Sequence, residues 1–384
     1  MAPPPPELMF ELVGEILLRL PPSDPASLIR ASLVCKPWLR LVFDAAFLRR
    51  YIAFHGAPPL LGFLANIRGN GYNEPRLVPS ATHSCFKPPA FDCSRLPWVM
   101  DCRHGRALVF DMWADSEGAL SVWDPITGDR QVLPKPRRCK FISAAAVLCA
   151  GAAAGCDHLD CCGDPFLVVC LGMSPMDDGF TLTDVCVYSS EAGSWGAPSS
   201  IDLGPDSISK MNRGIITGDE VYFGLMCSAR ILKCGLRNNA LSLIDLPDQC
   251  DHWNFVLMLT EDSSLGLANV RDSNLYLSSW KVNPEGLGEW VNYRVIKLET
   301  LLSIRSPCAA SVIGFAEGVD VIFVSTYVGV FAAELKSGKV TKVGGTEGYL
   351  SVLPIMGFYT PGSVLSFAMF PWLVLVCEQS VIQL

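Results

Sequence analysis

The residues able to do chemistry are few and far apart. The chain of 384 residues holds 16 cysteines and 5 histidines. The densest group is Cys156-Asp157-His158-Leu159-Asp160-Cys161-Cys162, three thiols and an imidazole, all zinc-ligand types. It lacks a C-x-x-C pair and a second knuckle at structural-zinc spacing. It reads as a polar loop with incidental cysteines, and no metal or cofactor is expected. His55, His83, His104, His158 and His252 fall in neither HExxH nor HxH spacing. No GxSxG elbow, phosphate loop or dinucleotide fingerprint occurs. Asp177-Asp178 and Asp219-Glu220 are adjacent carboxylates, and neighbours on a strand point to opposite faces, so neither is an acid–base pair as it stands. The chain is expected to be non-catalytic.

Composition narrows the partners. Half the residues are hydrophobic and 18% are charged, which supplies a large core and argues against disorder. The net charge of −8 is spread out, with no basic face to track a phosphate backbone, so no nucleic-acid partner is expected. The one basic run, 135–140, reads as a solvated turn. MAPPPPEL has neither the basic nor the apolar region of a secretory signal. The apolar stretch 141–156 is short of the ~20 residues that span a bilayer, and 363–377 is interrupted by Pro371. Both read as buried strands with their loops, so no membrane partner is expected. The setting is intracellular, cytoplasm or nucleus, with the cysteines as reduced thiols packed like small hydrophobes.

The elements that would position a function begin with helices. Pro3 to Pro6 is an extended lead-in. Leu8, Leu12, Val13, Ile16, Leu17 and Leu20 form one broad apolar stripe over a helix expected at 7–20. Pro21-Pro22 ends it. Asp24-Pro25 predicts a capped second start, Lys36-Pro37-Trp38 a third, and Asp44 a cap for a last short helix. Such a unit has a marginal core yet carries more large apolar side chains than that core can cover. A surplus apolar patch marks a protein partner, unless it packs on the next domain.

The pattern Glu11-Leu12-x-x-Glu15-Ile16-Leu17-x-x-Leu20-Pro21, then Leu33-Val34-Cys35-Lys36-x-Trp38-x-x-Leu41 and Phe47, resembles an F-box over about residues 7–50. The resemblance implies binding to a Skp-type adaptor and, through it, to a cullin-based (SCF) ubiquitin ligase. By position it implies that Leu8, Leu12, Ile16, Leu20, Pro21, Val34, Cys35 and Lys36 face the adaptor, while Trp38 and Leu41 hold the helices together. The usual opening Leu-Pro-acid is Leu8-Met9-Phe10 here, a departure that keeps a vestigial F-box as an alternative.

From about residue 60, short apolar runs alternate with Gly, Asp and Asn turns in units of about 40–60 residues, the pattern of a β-propeller. A large β-sandwich is the rival. Six blades are expected, with a strand near Leu60 and the segment 350–384 closing the ring. The turn from Trp123 to Gly128 resembles one in F-box-associated and kelch-like propellers of plants. The tryptophans 113, 195, 253, 280 and 290 are expected to pack between blades. The fold expected is therefore α+β and multidomain: an F-box of about three helices over 7–52, a linker over 53–62, and an all-β propeller over 63–384 that recruits a target protein. A propeller scaffold or ligand binder acting without the ligase is the alternative.

Overall fold

The computed structural model describes residues 9–56, 58–69, 73–80, 97–112, 118–125, 127–139, 141–151, 156, 161, 164–175, 181–203, 212–225, 229–248, 250–251, 253–304 and 310–358. Leu8, the proline tract, the segment 363–377 and Asp177-Asp178 lie outside these residues.

Four helices open the chain: α1 (Phe10–Leu17), α2 (Pro25–Ser32), α3 (Lys36–Val42) and α4 (Ala45–His55). α1 is shorter than the stripe suggested, and residues 18–20 form a turn. The Asp44 carboxylate accepts from Phe47 N at 3.0 Å and caps α4 as expected. Asp24 does not cap α2; its carboxylate accepts from Ser27 Oγ at 2.7 Å instead. Val13, Leu17 and Leu18 meet Leu28, Ala31, Val42, Phe47 and Tyr51 in one small core, with Trp38 and Leu41 packed against it. Tyr51 Oη donates to Leu20 O at 2.9 Å, and Arg50 pairs with Glu15 at 2.6 Å, so α4 ties back to α1.

Two strands follow, β1 (Leu60–Arg68) and β2 (Asn73–Pro79). β1 begins inside the stretch expected to be a linker. The first full blade is β3 (Pro97–Arg103), β4 (Arg106–Asp111), β5 (Ala119–Trp123) and β6 (Arg130–Val132). The second is β7 (Phe141–Cys149), β8 (Phe166–Pro175), β9 (Thr181–Ser189), β10 (Ser194–Trp195) and β11 (Ser199–Ile201). β12 (Asn212–Arg213) pairs in parallel with β7 and leads into the third blade, β13 (Ile215–Thr217), β14 (Glu220–Leu225), β15 (Arg230–Gly235) and β16 (Leu241–Asp245). The fourth is β17 (Phe255–Leu259), β18 (Leu265–Arg271), β19 (Asn274–Val282) and β20 (Gly288–Lys297), followed by the short helix α5 (Leu298–Leu302). The fifth is β21 (Ser311–Ala316), β22 (Val321–Thr326), β23 (Gly329–Glu334) and β24 (Val340–Gly344). The last strand, β25 (Gly348–Met356), pairs antiparallel with β1, so the sixth blade joins the two ends of the propeller in the order β2-β1-β25.

The apolar runs have a specific reason. β7 reads Ala144-Ala145-Ala146-Val147-Leu148, without hydrophobic–polar alternation. Ala145 and Val147 pack toward the first blade, among Met100, Leu108 and Phe110. Ala144, Ala146 and Leu148 pack toward the third, among Val221, Phe223 and Leu232. Both faces of a middle strand are buried between neighbours, so both must be apolar. Equivalent clusters lie between the remaining blade pairs, with the last closing across Phe63, Ile313 and Phe323. Exposure grows outward, and β6 and most of β20 are exposed. Inner strands approach closely: a Cβ on Gly314 of β21 would lie 2.2 Å from Val352 O of β25, so only glycine fits there.

The tryptophans act largely as expected. Trp195 Nε1 donates to Pro134 O of the preceding blade at 2.5 Å, and Trp290 Nε1 to Asp245 O at 2.8 Å. Trp280 lies against Trp290, ring centres 5.3 Å apart. Trp253 departs from the expectation, being 52% exposed, and Trp113 lies outside the described residues.

Candidate functional site

The helical unit presents the first candidate. An α-helix returns to the same face every three to four residues, so α1 has two faces. Val13 and Leu17 point into the core, at 3% and 2% exposure. Leu12 and Ile16 point out, at 45% and 51%, beside Met9 and Phe10. The single broad stripe read from sequence thus splits into a core-facing half and an outward half. Leu33 and Val34, in the turn between α2 and α3, are 49% and 63% exposed, and Cys35, Lys36 and Pro21 are exposed as well. Leu20 differs: it is half-buried against the helical core, and its carbonyl holds Tyr51. An acidic residue at Leu20 would therefore disturb the fold of the unit. One further large apolar side chain of the helical unit is exposed, Phe54 of α4, at 56%.

The propeller presents the second. A cavity of about 380 Å³ opens among the inner strands, lined in part by Trp98, Met100, Met112, Arg213, Trp253 and Phe255. Trp98 Nε1 is buried and has no hydrogen-bond partner among the described residues. Tyr72 and Arg305, candidate target contacts by residue type alone, lie outside the described residues.

An ionic cluster joins the first blade to the second-blade sheet, through β12 and β7, and to the fifth blade. Arg213 Nε donates to Asp101 at 3.0 Å, and Arg103 Nη2 donates to Glu317 at 3.1 Å and to Gly214 O at 2.6 Å. Asp101, fully buried, also accepts from Val147 N at 3.0 Å and Cys102 N at 2.8 Å. Burial alone raises the Glu317 carboxyl, but Arg103, Arg213 and His104 outweigh it and hold it below its ordinary value. The Cys102 thiol is pushed up to about 12, first by burial and then by Asp101. Glu317 is held as a partnered anion and the Cys102 thiol as a neutral group, an arrangement suited to bracing blades. Of the adjacent carboxylates in the sequence, Asp219 pairs with Arg237 and Glu220 with Lys233, each at 2.5 Å.

Cys156 and Cys161, from the densest cysteine group, do converge, and with a third residue that the motif did not contain. Cys149, at the end of β7, lies with them so that all three sulfurs are within 4.8 Å of one another. Burial raises the Cys149 and Cys161 thiols above the usual range. The signal missed in the sequence was the cysteine ending the preceding strand.

A short helical unit with an exposed apolar face precedes a six-bladed propeller closed by β1 and β25, and this order defines the class: a helical module joined to a propeller. The F-box domain model matches residues 7–50. The model for the β-propeller of AT5G49610-like F-box proteins matches 98–362, and the chain belongs to that family. Comparison with curated proteins gives no match. Among solved structures, similarity extends to a chain of the nidogen/laminin complex (13% identity, 78% of this chain and 99% of that one, TM-score 0.42). It extends also to TolB from Acinetobacter baumannii (13% identity, 82% and 71%, TM-score 0.37). No helix among the described residues is long and apolar enough to cross a membrane.

Proposed function

We propose that this F-box protein is the substrate receptor of a Skp–cullin–F-box ubiquitin ligase, non-catalytic itself, working inside the cell. The observation that carries the reading is the outward face of α1 and the α2–α3 turn: Leu12, Ile16 and Val34 are large, apolar and exposed in a unit whose core is already filled. On this reading Leu12, Ile16, Val34, Cys35 and Lys36 meet the Skp-type adaptor, with Pro21 at the margin and Leu20 acting from within the core, and Leu8 is assigned to the same contact by its place in the motif alone. The propeller holds a target protein, and ubiquitin transfer follows from raised local concentration. The test is co-expression of the full chain with the adaptor and a cullin. Recovery of a three-protein complex supports the reading, and a stable, folded chain that recovers neither partner overturns it.

The cavity beside Trp98 and Trp253 favours one alternative, a ligand-binding propeller acting without the ligase. That version predicts that the chain recovers no cullin and that a small molecule copurifies with it.

A further inference from the structure

The end of β7 and its connection to β8 bring together three thiols, of Cys149, Cys156 and Cys161. Cys149 and Cys161 are buried at 2% exposure each, while Cys156 is half-buried and opens the group toward solvent. Zinc–thiolate bonds of ~2.3 Å in a tetrahedron set sulfurs ~3.8 Å apart. The three sulfurs, within 4.8 Å of one another, need converge by no more than about an ångström to reach that spacing. Four hydrogen bonds hold the described backbone beside them. Gly151 N donates to Cys149 Sγ at 3.3 Å, Cys156 N to Gly151 O at 3.2 Å, Asp164 N to Cys161 O at 3.2 Å, and Ala150 N to Pro165 O at 2.9 Å. An N–H aimed at sulfur orients a thiolate ligand and stabilises its charge.

Charge supplies an independent observation. Arg106 is 6% exposed and donates to Asp164 O on the same connection. Its guanidinium lies 5.3 Å from the centre of the Phe166 ring, and its Nη1 is buried with no hydrogen-bond partner. No carboxylate pairs with it among the described residues. A buried cation calls for a compensating charge nearby.

The geometry points to a zinc site formed by the thiolates of Cys149, Cys156 and Cys161, with water in the fourth position. Binding displaces three thiol protons to solvent and leaves a centre of net charge −1, the sign that Arg106 lacks. The ion clasps the start of the connection to its end and fixes it against the first blade. A second triad, Cys139, Cys170 and Cys186, also converges, but all three of its residues are buried within the apolar cluster between the first and second blades.

The test uses the full chain, purified without a metal-affinity tag from zinc-supplemented cells. Elemental analysis should find about one zinc per chain. Cys156→Ser should retain zinc at least ~10-fold more weakly against a chelator, while Cys250→Ser should retain it as the wild type does. Cobalt added to the chelator-stripped wild-type chain should give a thiolate charge-transfer band that zinc abolishes. That reading needs no variant to fold. A wild-type chain that holds no zinc and gives no such band overturns the site. So does full retention in Cys156→Ser, which would place the ion elsewhere, and copper in place of zinc overturns the choice of ion.

Discussion

Asp101 shows what a single side chain does in a closed ring. It sits on β3, is wholly buried, and accepts from two backbone amides and Arg213. Removing one partner of a buried pair leaves an uncompensated charge, at a cost of about 3–5 kcal/mol. Asp101→Asn should lower the unfolding free energy by about that amount in urea titration, because Arg103 and Arg213 then share Glu317 alone. The pH dependence has a definite sign. The folded pKa of Glu317 lies below its ordinary 4.5, so its contribution is complete above that value and is lost as pH falls through the folded one. The melting temperature should hold near neutral pH and drop below about pH 4, and Glu317→Gln should make that acid drop shallower in a calorimetric series. None of this was legible in the sequence. Asp101, Arg103, Arg213 and Glu317 belong to three blades and share no local pattern. The same holds for Asn66, whose amide bonds both backbone groups of Val99, and for Asn254, whose amide donates to Ala310 O and accepts from Val312 N.

At the scale of elements, the turn between a blade's third and fourth strands recurs with one residue at positive φ: Gly128 at 83°, Gly193 at 64°, Asn239 at 52°, Gly286 at 81° and Gly338 at 70°. Non-glycine residues pay about 1–2 kcal/mol there, and Asn least. A Cβ at Gly338 meets nothing within 4 Å, so only conformation is at stake. Gly338→Val should therefore cost about 1–2 kcal/mol, and Gly338→Asn much less, by thermal denaturation. Asp44→Ala should cost about 1 kcal/mol through the lost cap on α4. The strand units were readable because turn residues punctuate apolar runs. The cap at Asp44 was readable for the same local reason. Asp24 misled because its carboxylate had a nearer donor in Ser27. The stripe on α1 misled because periodicity gives the width of an apolar surface but not which half the other helices cover.

The whole molecule depends on its two ends meeting. β1 supplies the middle strand of the sixth blade and pairs with β25 across the length of the chain. The family's propeller match begins at 98, past β1 and β2, although both belong to the ring. Removing residues 1–56 should leave a folded propeller, because the helices form their own core and meet it at Phe358, 6.2 Å from Tyr51 by ring centres. Removing residues 1–80 should give an aggregating chain, with β25 an unpaired inner strand, as circular dichroism and size-exclusion chromatography would report. The expectation of a ring closed near Leu60 rested on a physical need: each blade buries its faces only against neighbours, so the first and last must meet.

The outward face of α1 carries the functional account, and the affinity of the full chain for a purified Skp-type adaptor tests it most directly. Calorimetric titration should show binding by the wild type, and Ile16→Asp should weaken it at least ~100-fold, about 2.7 kcal/mol, with the melting temperature unchanged because Ile16 lies outside the helical core. A wild-type chain that does not bind, or an Ile16→Asp chain that binds as well as the wild type, would contradict the account.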